Sequence, residues 1–279
     1  RKPRLRGNDG NPAFAGMTKT MKITTWNVNS LTARLQHVLN WAAANPVDIL
    51  CLQELKLTED KFPLMELQAG GFDHCAVFGQ KTYNGVAILS RTQPLREVVR
   101  NIAGFEDEHS RVIAATVDTE GGELRIVNGY FVNGQAPGTE KFAYKMNWLG
   151  GLHHYVAAEL QRHPRLVLLG DFNIAPEDRD SYDPEGLRET IHHTSEERAH
   201  FQQLLGLGLC DSFRLFEQPD KSYSWWDYRM LGYQKNRGLR IDHILVSDAL
   251  RPQVKGCGID RVPRKWKSPS DHAPVTVEL

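Results

Sequence analysis

Short apolar segments rich in β-branched residues, each bounded by turn residues, constrain the fold of this chain more than any other feature. Runs of this length and composition are typical of buried strands. Eight of them are found, at residues 22–26, 47–52, 85–90, 111–117, 124–131, 166–169, 241–246 and 274–278. The sequence therefore predicts a protein with extensive β-sheet.

Helical patterns lie between some of these strands but not between all of them. One apolar stripe recurs every three or four residues, at Phe142, Met146, Leu149, Leu152, Val156 and Leu160, which predicts a helix with one buried face. Residues 31–44 and 195–205 behave similarly, and Thr194 with Glu197 forms a capping signal before the second of these. The predicted strands outnumber the predicted helices, which argues against a doubly wound parallel sheet. The pattern favours two packed sheets with helices outside.

Length and composition favour one folded domain over residues 21–279. No repeat, low-complexity block or Pro/Gly linker divides that range. Residues 1–20 carry five basic residues and one acidic residue without a periodic apolar pattern, so we expect a disordered or extraneous basic tail.

The four cysteines form no C-x-x-C pair, which is typical of a reduced cytoplasmic protein and not of a disulfide scaffold. No apolar run approaches the roughly 20 residues that a membrane span needs. We expect a monomer that does not contact membranes.

Polar residues cluster where the predicted strands end. The set is Asn27, Asn29, Glu54, Asp171, Asn173, Asp242, Asp271 and His272. Taken singly, an Asp or Asn after a strand is most often a turn former. Together these residues make an oxygen-rich group without a thiolate, which suits Mg²⁺ or Mn²⁺ and argues against zinc. Magnesium in proteins commonly binds one or two carboxylates, water and a substrate phosphate, so the set indicates phosphate chemistry.

Seven segments give a more specific resemblance. WNVNS, LQELK, NGYF, GDFN, WWDYR, NRGLRIDHIL and SDHAP appear in this order between Met21 and the end of the chain. This pattern resembles the exonuclease III family of AP endonucleases, within the wider endonuclease/exonuclease/phosphatase superfamily. The resemblance implies a four-layer α/β sandwich, in which two packed, mainly antiparallel sheets are flanked by helices. It also implies a Mg²⁺-dependent DNA repair phosphodiesterase, with Mn²⁺ as the alternative metal.

The resemblance also implies a role for individual residues. Metal binding falls to Asn27, Glu54, Asp171, Asn173 and Asp271. Catalytic roles fall to Tyr130, Asp171, Asn173, Asp242 and His272. Asp171 acts as the base for the attacking water, as a metal ligand, or as both. Substrate contacts fall to Asn29, His192, Trp225, Trp226, Leu239 and Arg237.

The expected substrate is double-stranded DNA with nicks, 3′ ends or abasic sites. Lys+Arg and Asp+Glu are equal at 34 each, so DNA binding requires a local basic face. The candidates are Lys235, Arg237 and Arg240, then Arg261, Arg264, Lys265 and Lys267. Adjacent residues of a strand face opposite ways, so one of Trp225 and Trp226 is expected outside the core.

His192 marks a departure from the family pattern. Members that cut internal abasic sites usually carry Gly or Ser at this position, which borders the pocket. An imidazole there would obstruct a DNA strand that continues past the cut, but not a 3′ terminus. The expected activities are therefore 3′-phosphatase and 3′→5′ exonuclease, with weak or absent abasic-site cleavage. The alternative is a solvent-exposed His192 without effect on substrate choice.

Three other functions stay open on sequence grounds. The first is a full AP endonuclease. The second is a phosphatase of the same superfamily that acts on phosphoesters outside DNA, against which WWDYR and NRGLRID weigh. The third is a DNA- or protein-binding module that has lost catalysis, against which the complete set of matched catalytic residues weighs.

Overall fold

Two six-stranded sheets dominate the computed structural model, which describes residues 20–279. The predicted tail at residues 1–20 lies outside the described residues, apart from Thr20. The strands are β1 (Lys22–Asn27), β2 (Ile49–Gln53), β3 (His74–Phe78), β4 (Val86–Ser90), β5 (Arg96–Arg100), β6 (Val112–Thr119), β7 (Gly122–Tyr130), β8 (Leu166–Asp171), β9 (Leu209–Asp211), β10 (Trp225–Trp226), β11 (Gly238–Leu239), β12 (Asp242–Ser247), β13 (Gly256–Ile259) and β14 (Val275–Glu278). The helices are α1 (Leu31–Ala44), α2 (Leu64–Ala69), α3 (Glu140–Arg162) and α4 (Ser195–Gly206).

The two sheets have matching topologies. The first has the order β13-β14-β1-β2-β4-β3 and the second β5-β6-β7-β8-β12-β9, while β10 and β11 form a separate ribbon. Each large sheet contains one parallel pair, β1–β2 or β7–β8, and its other pairs are antiparallel. A helix connects each parallel pair, α1 in the first sheet and α3 in the second, as a parallel connection requires. The prediction of mainly antiparallel sheets is confirmed.

Alternating side chains divide each central strand between two cores. In β2, Ile49 and Cys51 pack between the sheets, whereas Leu50 and Leu52 face the core under α1. In β8, residues 167 and 169 pack between the sheets, and residues 166 and 168 face α3 and α4. Because both faces of these strands are buried, they are continuously apolar. The result is the predicted four-layer α/β sandwich, with helices outside both sheets.

The predicted helices are present with the expected ends. Thr194 Oγ1 accepts a hydrogen bond from the Glu197 backbone at 3.0 Å, and the Glu197 carboxylate accepts one from the Thr194 backbone at 3.1 Å. This reciprocal pair is the capping box that the sequence indicates at α4. Among residues 20–279, no helix combines the length and apolar character that crossing a bilayer requires.

All eight predicted strands are observed, with ends shifted by one or a few residues. The strands that the sequence reasoning missed are β3, β5, β9, β13 and the two-residue β10 and β11. Four of these, β3, β5, β9 and β13, are the outermost strands of the two large sheets. β9 has only three residues, β5 carries arginines at both ends and β13 contains two glycines, so these three give only short apolar runs.

A substitution in the inter-sheet core tests this architecture. Ile126 of β7 is fully buried between the sheets, so Ile126→Ala should lower the free energy of unfolding by about 2–5 kcal/mol. Urea titration measures the change. Met65→Ala is the matched control, because Met65 is 79% exposed and its loss should leave stability within about 0.5 kcal/mol. Equal stabilities for the two variants would contradict the two-sheet core.

Candidate active site

Strands from both sheets end at one rim of the sandwich. In the first sheet Asn27 pairs with Gln53, so Glu54 follows directly beside Asn27. In the second sheet Asp171 pairs with Tyr130 on one side and with Asp242 on the other. Strand pairing therefore aligns the predicted polar residues at one end of each sheet, and the packing of the sheets brings the two groups into contact.

These polar residues continue the inward-facing rows of the inter-sheet core. Side chains alternate along a strand, so Asn27 shares its face with Ile23, and Asp171 with Leu169. Asp242 likewise shares its face with Ile244, and Tyr130 with Ile126. Ile23, Ile126, Leu169 and Ile244 all belong to the core between the sheets. The candidate site is thus the polar end of that core.

Glu54, Asp171 and His272 form the centre of the site, with one potential ligand atom from each lying within 4.8 Å of the others. Asn27 bridges the two carboxylates, because its Nδ2 donates to Glu54 Oε1 at 2.9 Å and to Asp171 Oδ2 at 3.0 Å. Its Oδ1 accepts the Asn29 backbone N–H at 2.9 Å. The Asn27 amide nitrogen thus faces the two carboxylates, and its predicted role as a metal ligand stays a prediction.

His272 is held between two carboxylates. Its Nδ1 lies 2.9 Å from Asp242 Oδ2, and its Nε2 lies 3.6 Å from Asp171 Oδ2. Burial by itself lowers the pKa of His272, but the charges of Asp242 and Asp171 outweigh it and raise that pKa to about 10. The imidazole is therefore a cation at neutral pH and a donor of hydrogen bonds.

Burial and neighbouring charges also perturb Asp171 and Tyr130. Burial raises the pKa of Asp171 to about 7; the nearby charges of Asp242 and Glu54 add to this effect, and that of His272 opposes it. The pKa of Tyr130 lies well above its usual value, first through burial and then through the charges of Glu54 and Asp171. Tyr130 thus keeps its proton and can donate a hydrogen bond at the rim.

The donor chemistry of this cluster fits a hard divalent cation. Glu54 and Asp171 supply carboxylate oxygens close together, and the like charge of Glu54 is one cause of the raised pKa of Asp171. A cation between them would offset that repulsion and lower the pKa again. One or two carboxylates is the complement that Mg²⁺ prefers, whereas zinc favours nitrogen and sulfur.

Two residues predicted as metal ligands have other contacts. Asp271 Oδ1 accepts from Asn29 Nδ2 at 3.0 Å, and its Oδ2 accepts from Trp225 Nε1 at 2.9 Å. The Asn173 amide donates from Nδ2 to the Phe131 carbonyl at 3.0 Å, and its Oδ1 accepts from Asn133 at 3.3 Å. Asp271 therefore holds Asn29 and Trp225 in place, and its role as a metal ligand stays a prediction. For Asn173 the predicted roles stay predictions.

The backbone at the site adopts conformations that side chains usually avoid. Positive φ values occur at Asn29 (44°), Glu54 (52°), Asn173 (52°) and His192 (71°). Such conformations cost energy and concentrate where surrounding structure fixes a functional geometry. Position 170, directly before Asp171, can hold only glycine for a steric reason. Its φ is 145°, and a Cβ there would lie 1.8 Å from the Gly129 carbonyl oxygen.

Two residues of the site were not singled out from sequence. Lys56 Nζ lies 3.1 Å from Glu54 Oε2 and donates to Asn29 Oδ1 at 2.6 Å. Ser270 is buried; its hydroxyl donates to the Asn27 carbonyl at 2.7 Å and accepts from the His272 backbone at 3.2 Å. Lys56 lies inside the motif LQELK, and Ser270 lies inside SDHAP. Their proximity in sequence to Glu54 and His272 was the available signal.

The side chains of Trp225 and Trp226 differ in burial, as the alternation of side chains along a strand requires. Trp225 is half-buried and packs with Leu239 and Ala175 beside the site. Trp226 is fully buried, packs with Tyr223 and Ala273, and donates from Nε1 to Asn236 at 3.0 Å. The prediction that Trp226 contacts substrate is therefore wrong. Trp225 and Leu239 stay predicted pocket residues.

Two of the residues that were predicted to form a basic face are buried in the structure. Arg240 is buried and binds Asp180 and Asp211 at 2.7 and 2.8 Å. Arg264 is also buried, where its guanidinium lies over aromatic rings and donates to the Ser270 carbonyl. These two arginines are structural. The exposed cations of the two segments are Lys235, Arg237, Arg261, Lys265 and Lys267.

His192 faces inward, so the alternative of a solvent-pointing side chain is wrong. It is 8% exposed, and its Nδ1 lies 2.7 Å from the Asn173 carbonyl oxygen. Burial first, and then the nearby charge of Lys145, lower the pKa of His192 to about 3. The imidazole is therefore neutral, and Nδ1 must carry the proton to donate to that carbonyl. His192 is thus fixed against the loop that follows Asp171.

Comparisons with known proteins agree with this geometry. The model of the Endonuclease/Exonuclease/phosphatase family matches residues 24–272. The chain is 37% identical to exodeoxyribonuclease III of Haemophilus influenzae, over 93% of this chain and 100% of that protein. It is 36% identical to the DNA repair nuclease APEX1 of Danio rerio, over 95% of this chain and 84% of that protein.

Solved structures give the same result. The 3′ phosphatase NExo from Neisseria, bound to a product DNA hairpin, is 52% identical with a TM-score of 0.88, and the match covers 93% of this chain and 99% of that chain. An AP endonuclease from Archaeoglobus fulgidus is 33% identical with a TM-score of 0.86, over 92% and 98%. The chain therefore belongs to the endonuclease/exonuclease/phosphatase family and, within it, to the exonuclease III family of nucleases.

Proposed function

We propose that this protein is a Mg²⁺-dependent DNA repair phosphodiesterase that removes 3′ phosphates and 3′-terminal nucleotides, with weak or absent abasic-site cleavage. The observation that carries the proposal is the cluster of Glu54, Asp171 and His272 at the rim between the sheets. It combines two oxygen ligands with one hydrogen-bond donor that is positively charged. Hydrolysis of a phosphate ester needs these two kinds of group.

Glu54 and Asp171 are the residues that would hold the metal. Magnesium supplies a Lewis acid for the phosphate and its departing oxygen when it is bound there. Lys56 holds Glu54 from the side of Oε2, and Asn27 holds both carboxylates through its amide. These contacts orient the oxygens toward the gap between the sheets.

The remaining residues of the site accept a proton or stabilise negative charge on the phosphate. Asp171 is placed to accept the proton of an attacking water, because its buried carboxylate lies beside Glu54 and His272 at the rim. His272 donates from Nε2 to a phosphoryl oxygen, while Asp242 holds Nδ1 and stabilises the charged ring. Tyr130 carries a further donor at the same rim. No residue of this set needs to form a covalent bond with the substrate.

Two observations support the preference for 3′ ends. The Neisseria relatives are described as a 3′ phosphatase and a 3′→5′ exonuclease, at 52% and 53% identity. In this chain His192 is also fixed beside Asn173 by a hydrogen bond. A fixed ring cannot swing aside for a DNA strand that continues past the cut. Exposed cations, including Arg237, would contact the DNA backbone.

The metal site predicts the behaviour of Glu54→Ala. Turnover on a 3′-phosphate duplex should fall by about 10²–10³-fold, because a Lewis acid contributes several kcal/mol to the transition state. EDTA should abolish the activity of the unaltered protein, and Mg²⁺ should restore it. Glu59→Ala is the matched control, since Glu59 is a half-exposed residue of the following turn. Near-normal turnover of Glu54→Ala at low Mg²⁺ would refute the metal assignment.

The proton chemistry predicts two further variants. Asp171→Asn keeps the shape of the side chain but removes the base, so turnover should collapse while DNA binding survives. His272→Asn should lose about 10²–10³-fold in turnover, the cost of one missing transition-state donor. Fluorescence anisotropy with labelled DNA separates binding from turnover. Loss of DNA binding in a folded Asp171→Asn protein would show a structural role instead.

Substrate choice is tested with His192→Gly. Three duplexes are compared, with an internal abasic site, a 3′-phosphate at a nick, and a 3′-hydroxyl end. The unaltered protein should act on the two 3′ ends only, and His192→Gly should gain abasic-site cleavage. The positive φ of residue 192 suits glycine, so the variant should fold.

The neighbouring histidine supplies the control for this experiment. His193→Ala changes an equally buried side chain that contacts the Ile191 carbonyl and not Asn173, so it should not gain abasic-site cleavage. Efficient abasic-site cleavage by the unaltered protein would overturn the obstruction by His192 and favour a full AP endonuclease. Turnover of an inositol phosphate without turnover of DNA would overturn the proposed function itself.

A further inference from the structure

Two buried amides connect the sheets just below the active site. Gln53 of β2 donates from Nε2 to Asn128 Oδ1 of β7 at 2.8 Å, and both side chains are completely buried. Asn128 Nδ2 donates in turn to the carbonyl oxygens of Leu52 at 3.0 Å and Ala87 at 2.9 Å, which belong to the facing sheet. Three hydrogen bonds therefore cross between the sheets here, inside a core that is otherwise mostly apolar.

This amide bridge, formed by Gln53 and Asn128, lies one layer beneath the catalytic residues. Gln53 directly precedes Glu54 in the first sheet. Asn128 pairs with Leu169 in the second sheet. Because Tyr130 and Asp171 follow Asn128 and Leu169 by two residues, they share their face of the sheet. The bridge thus joins the strand that ends at Glu54 to the strand beside Asp171.

Apolar packing and hydrogen bonds constrain two sheets differently. Hydrophobic burial has no direction, so an apolar core alone allows small relative displacements of the sheets. Hydrogen bonds are directional and fix the distance and alignment of their partners. We propose that Gln53 and Asn128 are positioning residues that set the distance between Glu54 in one sheet and Asp171 in the other, and thereby the geometry of the metal site.

The contacts of the bridge favour this role over a contribution to stability. Gln53 Nε2 also donates to Thr25 Oγ1 at 2.9 Å, so the amide is oriented from its own sheet. Gln53 Oε1, however, has no hydrogen-bond partner among the described residues. A buried acceptor without a partner costs stability. This cost offsets part of the stability that the hydrogen bonds of the bridge contribute, whereas their geometric constraint on the two sheets remains.

The test is the double variant Gln53→Met with Asn128→Leu, which replaces both amides by apolar groups of similar size. The variant leaves the carbonyl oxygens of Leu52 and Ala87 and the Thr25 hydroxyl without these donors, so Tm should fall by about 5–10 °C, and turnover is compared well below the unfolding transition. The Mg²⁺ concentration for half-maximal turnover should rise about tenfold or more, in the range seen when groups that orient ligands are lost. The KM for DNA should change little. The rise in Tm produced by Mg²⁺ alone should also shrink, which is a readout independent of turnover.

Thr24→Val is the control, because Thr24 is buried in the same strand as Asn27 and bonds Thr276 at 2.7 Å, away from the rim. It removes a hydrogen bond in the same sheet and should leave the Mg²⁺ dependence unchanged. If the double variant does not fold, Gln53→Asn provides the second test. It keeps the amide but shortens it by one methylene, and it should raise the Mg²⁺ requirement in the same way.

The inference rests on the proposed function, and the unaltered protein separates the two. Mg²⁺-dependent turnover by the unaltered protein, together with an unchanged Mg²⁺ requirement in the variants, would overturn the amide bridge alone. An unaltered protein whose turnover does not depend on Mg²⁺ would overturn both.

Discussion

The alternation of side chains along five strands is the constraint on which the site depends. The inward-facing residues of β1, β2, β7, β8 and β12 are mostly apolar in the middle of the sandwich and polar at one rim. The core and the active site are therefore successive layers of the same rows. Any displacement of one sheet against the other moves Glu54 relative to Asp171. The precision of the site depends on the packing beneath it.

Much of this arrangement could be predicted from sequence, because the central strands are buried on both faces. Such strands give continuous apolar runs, and the polar residues after them identify the rim. Edge strands gave no such signal. β5 carries arginines at both ends, and β13 contains two glycines in four residues. Their strand conformation depends on partners that are distant in sequence.

Within the site, residue type predicted chemistry better than it predicted exposure. Glu54, Asp171 and His272 meet as the motifs suggested. Trp226 was expected to contact substrate, and Arg240 and Arg264 were expected in a basic face, but all three are buried. Whether an arginine is exposed depends on acidic or aromatic partners elsewhere in the chain, such as Asp180 and Asp211 for Arg240. The orientation of the Asn27 amide was equally hidden, because it follows from the Asn29 backbone.

The buried cluster of Arg240 has a consequence for how this sequence can vary. Arg240 binds Asp180 and Asp211, and its backbone N–H donates to the Asp180 carbonyl at 2.8 Å. Asp180 also binds Arg214, so replacing Arg240 alone leaves Asp211 as the buried charge that loses its counterpart, which is more costly than replacing all members by apolar residues. The three positions are separated by 29 to 60 residues, yet they form one unit of substitution. Homologues should differ here by exchanging the whole set, and lineages that carry only part of it should be rare.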